Sequence, residues 1–287
     1  MSEPMIIRAR LAAPVDAVRR ALTEPAQLRV WFAEHAEVEL PNRFEFWGRY
    51  TPEGDAPHQR LLHADDTTLR FNWLLDGVDT TTELSLAATG PDSTLLTLTQ
   101  SHFDYQEMMA GTSIRGVLQT FWVLATANLA DHLEGRPLTA RVDFTSDELR
   151  ADVLVDASAA TIFDALTDSQ KVSSWFGFPI EIEAEVGGRY AMGGFDNPLL
   201  PAKVLELEPG RKLAVDWGQP VGVTTWELAE SDGKTRLTMV QSGFDAAKPP
   251  YGGWSGNVSG LAELRRYVER SDWQPIWPRD EAAASQS

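Results

Sequence analysis

The sequence predicts an α+β chain of two like domains, each a curved antiparallel sheet with one long helix at its C-terminal end. Three observations predict it. Ala21-Leu22-Thr23 with Trp31-Phe32 recurs 144 residues later as Ala165-Leu166-Thr167 with Trp175-Phe176. Trp73 and Trp217 stand the same distance apart, and Gln100-Ser101-His102-Phe103-Asp104 returns as Gln241-Ser242-Gly243-Phe244-Asp245. Within each half, a short strand and two short helical segments precede a run of alternating segments and then one long helical stretch. Repeats kept in order signify a duplicated domain, because order survives only if topology does. Solenoid periods run about 20–50 residues, so the longer spacing here means two whole globular units.

In the first half, Ile6 to Leu11 reads as a strand ended by Ala13-Pro14. Pro suits the first position of a helix, and Val15 to Leu22 places Val15, Val18 and Leu22 on one face. A second short helix covers Pro25 to Trp31. From Val38 to Gln100 the pattern is of strands: Arg43 to Phe46, Leu69 to Trp73, Thr81 to Ala87 and Leu95 to Gln100 alternate, the last two joined by Gly90-Pro91-Asp92-Ser93. Short connections between neighbours argue for an antiparallel meander. Gln119 to Glu134 is the long helix, ended by Gly135 and Pro137.

The second half repeats the plan: strand Ala151 to Val155, helices Ala159 to Leu166 and Gln170 to Phe176, then six strands. These are Ile180 to Val186, Arg189 to Met192, Lys203 to Leu207, Lys212 to Trp217, Thr224 to Leu228 and Thr235 to Gln241. Gly187-Gly188 reads as a tight turn into a strand and Gly252-Gly253 as a loop before the last helix, Gly256 to Arg270. The predicted domains are 1–138 and 147–278, with a linker at 139–146 and a frayed tail at 279–287. Duplication raises the expectation of a pseudo-dimer of the two copies within one chain.

The 287 residues suffice for two cores, and a hydrophobic share of 43% excludes a disordered polymer. A net charge of −17 argues against nucleic acid or an anionic membrane as partner. No cysteine is present, which removes disulfides, thiolate nucleophiles and zinc-thiolate sites and fits a cytoplasmic protein. Met1-Ser2-Glu3-Pro4 shows no signal-peptide pattern, and no apolar run approaches the length of a membrane span.

A bent sheet gripped by one helix leaves a cavity between them, lined by inward side chains. The candidate ligand-binding residues are Trp31, Phe46, Trp73, Gln100, Phe103 and Trp122 in the first half. In the second they are Trp175, Phe176, Tyr190, Met192, Trp217, Trp226, Gln241, Phe244 and Trp254. Gln100 shares a strand face with Leu96 and Leu98, and Gln241 with Leu237 and Met239, so both amides point inward. They either satisfy loop backbone or hydrogen-bond a ligand. Arg43 and Arg189 begin strands at matching places and read as surface ion pairs. Burying about 400 Å² of apolar ligand area yields roughly 10 kcal/mol, and association costs at least about 4, leaving a dissociation constant of tens of micromolar.

The phrases Ala-Leu-Thr-(Glu/Asp)…Trp-Phe, Val186-Gly187-Gly188-Arg189-Tyr190, Val204 to Pro209, Leu237 to Phe244 and the helix near Gly253-Trp254 resemble the activator-of-heat-shock-protein-90-ATPase-like family, of the C-terminal-domain type. That family lies in the helix-grip superfamily of START-like ligand-binding proteins and polyketide cyclases. The resemblance implies two tandem helix-grip domains. It is fuller in the second half, because Pro41-Asn42 replaces the Gly-Gly pair and His102 replaces Gly243 in the first.

Chemistry-bearing motifs are sparse. There is no Gly-x-Ser-x-Gly elbow, phosphate-binding loop, dinucleotide fingerprint or His-Glu-x-x-His pair, so neither metal nor cofactor is expected. His102 stands beside Phe103, and the second half, having no His, leaves Tyr190 and Asp196 for acid–base work. Three functions follow. The first is binding of a hydrophobic or aromatic small molecule by one or both domains. The alternatives are a didomain polyketide aromatase or cyclase, which needs a positioned acid–base pair, and a co-chaperone stimulating a heat-shock protein 90 ATPase, which the resemblance alone suggests. Loss of the Gly-Gly pair and possession of all the histidines predict that the first domain has diverged in role.

Overall fold

Strand alternation becomes sheet in both halves. The computed structural model describes residues 4–102, 114–196 and 198–277. They form two compact units. Among the described residues, the first takes those up to 145, with 251–259 and 276–277; the second takes those of 146–250 and 260–275.

The first unit runs β1 (Met5–Leu11), α1 (Val15–Thr23), α2 (Pro25–Trp31), β2 (His35–Glu39), β3 (Arg43–Trp47), β4 (Gln59–Ala64), β5 (Thr68–Leu75), β6 (Val78–Gly90), β7 (Ser93–Gln100) and α3 (Leu118–Leu133). The sheet order is β1-β7-β6-β5-β4, all antiparallel, with β2-β3 as a separate ribbon. On β5, Leu69, Phe71, Trp73 and Leu75 turn inward, and on β7 Leu96, Leu98 and Gln100 do. Phe103 and the tail 279–287 lie outside the described residues.

The ribbon is separate for a visible reason. Phe46 N donates to the side-chain Oε1 of Gln59 at 3.1 Å, so an amide side chain occupies the donor that a neighbouring backbone would otherwise take. In the second unit the sheet of the described residues is continuous, in the order β8-β14-β13-β12-β11-β10-β9. These are β8 (Leu149–Val155), β9 (Ile180–Ile182), β10 (Arg189–Met192), β11 (Leu200–Glu208), β12 (Lys212–Asp216), β13 (Val223–Ser231) and β14 (Lys234–Ser242). The helices are α4 (Ala159–Thr167), α5 (Ser169–Phe176) and α6 (Tyr251–Glu269). Ser158 Oγ caps α4 by accepting from Thr161 N, and Asp168 caps α5 by accepting from Gln170 N and Lys171 N.

Three sequence expectations are corrected. The strand expected over Ile180 to Val186 stops at Ile182, because the chain doubles back at Gly187-Gly188. A Cβ on Gly188 would sit 2.2 Å from Glu183 O, so only glycine fits. The last helix starts at Tyr251, not Gly256, so Gly252-Gly253 is helical and not loop. β4 was not anticipated, since a bulge between Leu61 and His63 interrupts its alternation.

Candidate functional site

The repeated tryptophan of the Ala-Leu-Thr…Trp-Phe phrase has one job in both copies. Trp31 Nε1 donates to Ala21 O at 3.0 Å, and Trp175 Nε1 donates to Ala165 O at 2.8 Å. Each indole thereby closes the corner between two short helices. The phrase recurs because the corner does.

In the first unit, the space between α3 and the sheet is filled by rings. Phe32 stacks on Trp122 at 5.5 Å and meets Phe46 edge-on at 4.8 Å. Phe46 meets Trp73 at 5.1 Å, and Trp73 lies 6.0 Å from Trp122. The cavity left among Leu22, Phe32, Phe71, Leu98, Trp122 and Leu129 measures about 20 Å³. That is room for one water. The expected ligand-sized hollow is therefore absent at this place, and Trp31, Phe46, Trp73 and Trp122 act here as core. Sheet alternation set the direction of Phe46 and Trp73, and helical spacing that of Trp31 and Trp122; neither carries information on whether facing rings meet.

Gln100 is buried, with its Oε1 accepting from Thr82 Oγ1 at 2.6 Å and Trp122 Nε1 at 3.2 Å. In the second unit the matching groups form a chain. Trp217 Nε1 donates to Thr224 Oγ1 at 2.9 Å, Thr224 Oγ1 donates to Gln241 Oε1 at 2.7 Å, and Gln241 Nε2 donates to Val221 O at 2.7 Å. Gln241 thus satisfies loop backbone.

Tyr190 is buried and meets Trp217 edge-on at 5.1 Å. Burial pushes its phenol well above the usual tyrosine range, which disfavours the phenolate. Asp196 is exposed, and so is His102, which belongs to the first unit. Of the three acid–base candidates, Tyr190 is buried and the other two are exposed. Trp226 is buried and Met192 half-buried. Trp175 and Phe176 pack on α6, where a Cβ on Gly260 would lie 3.3 Å from Phe176. Trp254 is buried, but in the 251–259 segment grouped with the first unit.

Gln241 and Phe244 do come together, in an open cleft of about 340 Å³ in the second unit. The beginning of β8 supplies Asp147, Glu148, Leu149 and Arg150, and the end of β14 with the following turn supplies Val240 to Phe244 and Ala246. Leu149 pairs with Gln241 across the two strands. Arg150 is committed to Asp152 through two hydrogen bonds, Nε at 2.8 Å and Nη2 at 3.0 Å. The free charge at the rim is therefore that of Asp147 and Glu148. Sequence reasoning missed the β8 residues because charged strand-start residues carry no signal of a cleft. Among the described residues no group of His, Cys, Asp and Glu is placed to hold a metal, and no helix is long and apolar enough to cross a membrane.

His102 adopts φ +58°, the left-handed conformation that Gly243 takes at +74° in the other copy. A side chain there strains the backbone by about 1 kcal/mol. His102→Gly is expected to raise stability by about 0.5–1 kcal/mol. A melting temperature that falls would show instead that the imidazole makes a compensating contact.

The arginines are surface partners, as read. Arg43 pairs with Glu37 and Glu45. Glu183 accepts from Arg189 N at 2.9 Å, Nε at 3.0 Å and Nη2 at 2.5 Å, and Glu34 receives the same three groups of Arg49. These hydrogen bonds, side chain first, hold both carboxyls at about 2 against an ordinary 4.5. A depressed carboxyl stabilises the fold above its ordinary value and loses that contribution as pH falls toward its folded one. Carboxyl ¹³C titration should find Glu34 and Glu183 ionised down to about pH 2. Arg49→Ala should return Glu34 toward 4.5; an unchanged midpoint would refute the assignment.

The solved structures similar to this chain include three of different origin. CalU16 from Micromonospora echinospora is 28% identical over 47% of this chain and 76% of its own, with a TM-score of 0.37. DynU16, a protein of the dynemicin biosynthetic locus, is 18% identical over 94% and 98%, with a TM-score of 0.40. PFC0360w, an HSP90 activator from Plasmodium falciparum, is 16% identical over 34% and 74%, with a TM-score of 0.30. No curated protein matches the chain. The family described as Activator of Hsp90 ATPase homolog 1-like protein matches residues 12–134 and again 156–266. With one match for each half, and each half an antiparallel sheet with a long C-terminal helix, the chain belongs to that family and carries two tandem domains of its START-like, helix-grip ligand-binding fold.

Proposed function

We propose that the second domain binds a flat apolar or aromatic small molecule, and that the first is mainly a filled scaffold. The observation that carries this reading is the cleft of about 340 Å³, where the predicted residues Gln241 and Phe244 meet over Leu149 and Val240. Ligand sites are commonly about 300–1,000 Å³ with apolar floors and few polar groups. Asp147 and Glu148 at the rim, with Arg150 spent on Asp152, favour neutral or cationic guests over carboxylates.

Titration of the whole chain with 2-naphthol, acridine and 2-naphthoate tests this. Tryptophan quenching should give dissociation constants of tens of micromolar for the first two and weaker binding for the third. Phe244→Ala should weaken binding about tenfold, the worth of a partly buried ring. A flat response to both neutral and cationic polycycles would overturn the proposal, as would unaltered binding in Phe244→Ala.

A further inference from the structure

The two copies differ along one sheet edge. β1 and β8 are the outermost strands of their sheets and keep the same register. Met5 faces Gln100 as Leu149 faces Gln241, and Arg10 faces Leu95 as Leu154 faces Arg236. Arg10 and Leu154 are therefore matched positions.

In the first domain this edge is taken. Arg10 N donates to Ile276 O at 2.7 Å, and Ile276 is 3% exposed. The bond also fixes which way the strand faces. The backbone of Arg10 is turned away from β7, and every second residue of β1 turns with it. The shared register gives β8 the same parity, so Arg150, Asp152 and Leu154 turn their N–H and C=O groups away from β14. Asp156 agrees, since its N–H reaches outward to Glu269 Oε1 at 3.0 Å. Among the described residues, nothing bonds the outward backbone groups of Arg150, Asp152 and Leu154.

Open sheet edges are commonly guarded by charge. β1 carries Arg8 and Arg10 at exposed positions. At the matching places β8 carries Asp152, neutralised by Arg150, and Leu154, which is 60% exposed. The second copy has thus lost both the cover and the guard.

We propose that the outer edge of β8 is a docking strand for an extended segment of another protein, aliphatic in its middle and basic at its ends. Ile276 on β1 supplies the pattern: a carbonyl for the outward N–H and a branched aliphatic side chain that becomes buried. In strand addition the main chain supplies affinity and alternate side chains supply specificity. The basic ends follow from charge, because Asp147 and Glu148 precede β8, Asp156 follows it and the chain carries −17 overall. The cleft proposed above takes its floor from Leu149, Val240 and Phe244, whereas this site uses backbone groups from Arg150 to Leu154, so either reading can fail alone.

The test uses the full ¹⁵N-labelled chain with assigned backbone amides. The probes are the acetylated, amidated peptides Lys-Val-Ile-Val-Lys and Glu-Val-Ile-Val-Glu. The lysine peptide should shift and protect the amides of Arg150, Asp152 and Leu154, leave that of Arg10 unmoved, and bind at least about tenfold tighter than the glutamate peptide at low salt. Leu154→Pro removes the outward donor at an edge position that tolerates proline, and should weaken binding about tenfold, the worth of one hydrogen bond. Leu154→Arg keeps the donor and restores the first-domain side chain; it should weaken the lysine peptide about tenfold and serves if the proline variant melts early. No shift at these amides up to about 1 mM peptide overturns the proposal, as does equal binding of the two peptides or unaltered binding in both variants. Shifts there that grow with protein concentration alone would give the edge to a second copy of this chain and overturn it too.

Discussion

Phe46→Ala is expected to destabilise the first domain by about 3–5 kcal/mol, read as a lower urea midpoint. Phe46 is fully buried and touches Phe32, Phe44, Phe71 and Trp73, with centroids 4.8 to 5.9 Å apart. Its removal takes away burial and also leaves a hollow on the order of 100 Å³ that its neighbours refill only in part. Such a hollow, lined by rings, holds a benzene-sized guest. The variant should therefore regain stability in the presence of benzene or indole, and the unaltered chain should not gain at that site. A loss below about 1 kcal/mol would mean that the ring faces empty space already, contrary to a filled core.

Asn128→Ala should cost about 2–4 kcal/mol. Asn128 is fully buried on α3, and its amide holds Thr139 from both sides: Nδ2 donates to Thr139 O at 3.1 Å, and Oδ1 accepts from Thr139 N at 2.9 Å. Alanine would leave two backbone groups unpaired in the interior. The segment that follows is pinned too. Arg141 Nη1 donates to Ala33 O at 3.1 Å with its guanidinium 4.0 Å over Tyr50, and Phe144 N donates to Arg49 O at 2.8 Å. The predicted linker thus lies strapped along the first unit. Hydrogen exchange at Thr139, Val142 and Phe144 should quicken in the variant. Unchanged protection there would show that Arg141 and Phe144 hold the strap without Asn128.

The sequence disclosed architecture better than occupancy. Duplication and the alternation of β5 and β7 were legible because burial on one sheet face imposes a period of two regardless of what lies opposite. The start of α6 was not, because Gly252, Gly253 and Gly256 look like breakers, whereas each costs a helix only about 1 kcal/mol. Gly260 is kept for the opposite reason: its bare Cα lets Trp175 and Phe176 close on the helix. The site was half legible. Gln241 and Phe244 stand out by repetition, but Leu149 and Arg150 enter the cleft through strand pairing, a contact far apart in sequence. Nor did composition distinguish the two tryptophan-rich halves. In one, Trp122 spends its N–H on a glutamine, and in the other Trp217 spends its N–H on a threonine.

The side chain of Gln59 gives the first domain a seam. Where β10 is stitched to β11 by a backbone ladder, the β2–β3 ribbon is latched to its neighbour through one amide oxygen. The seam is closed instead by burial, since Phe44 and Phe46 of β3 pack against Phe71 and Trp73 of β5.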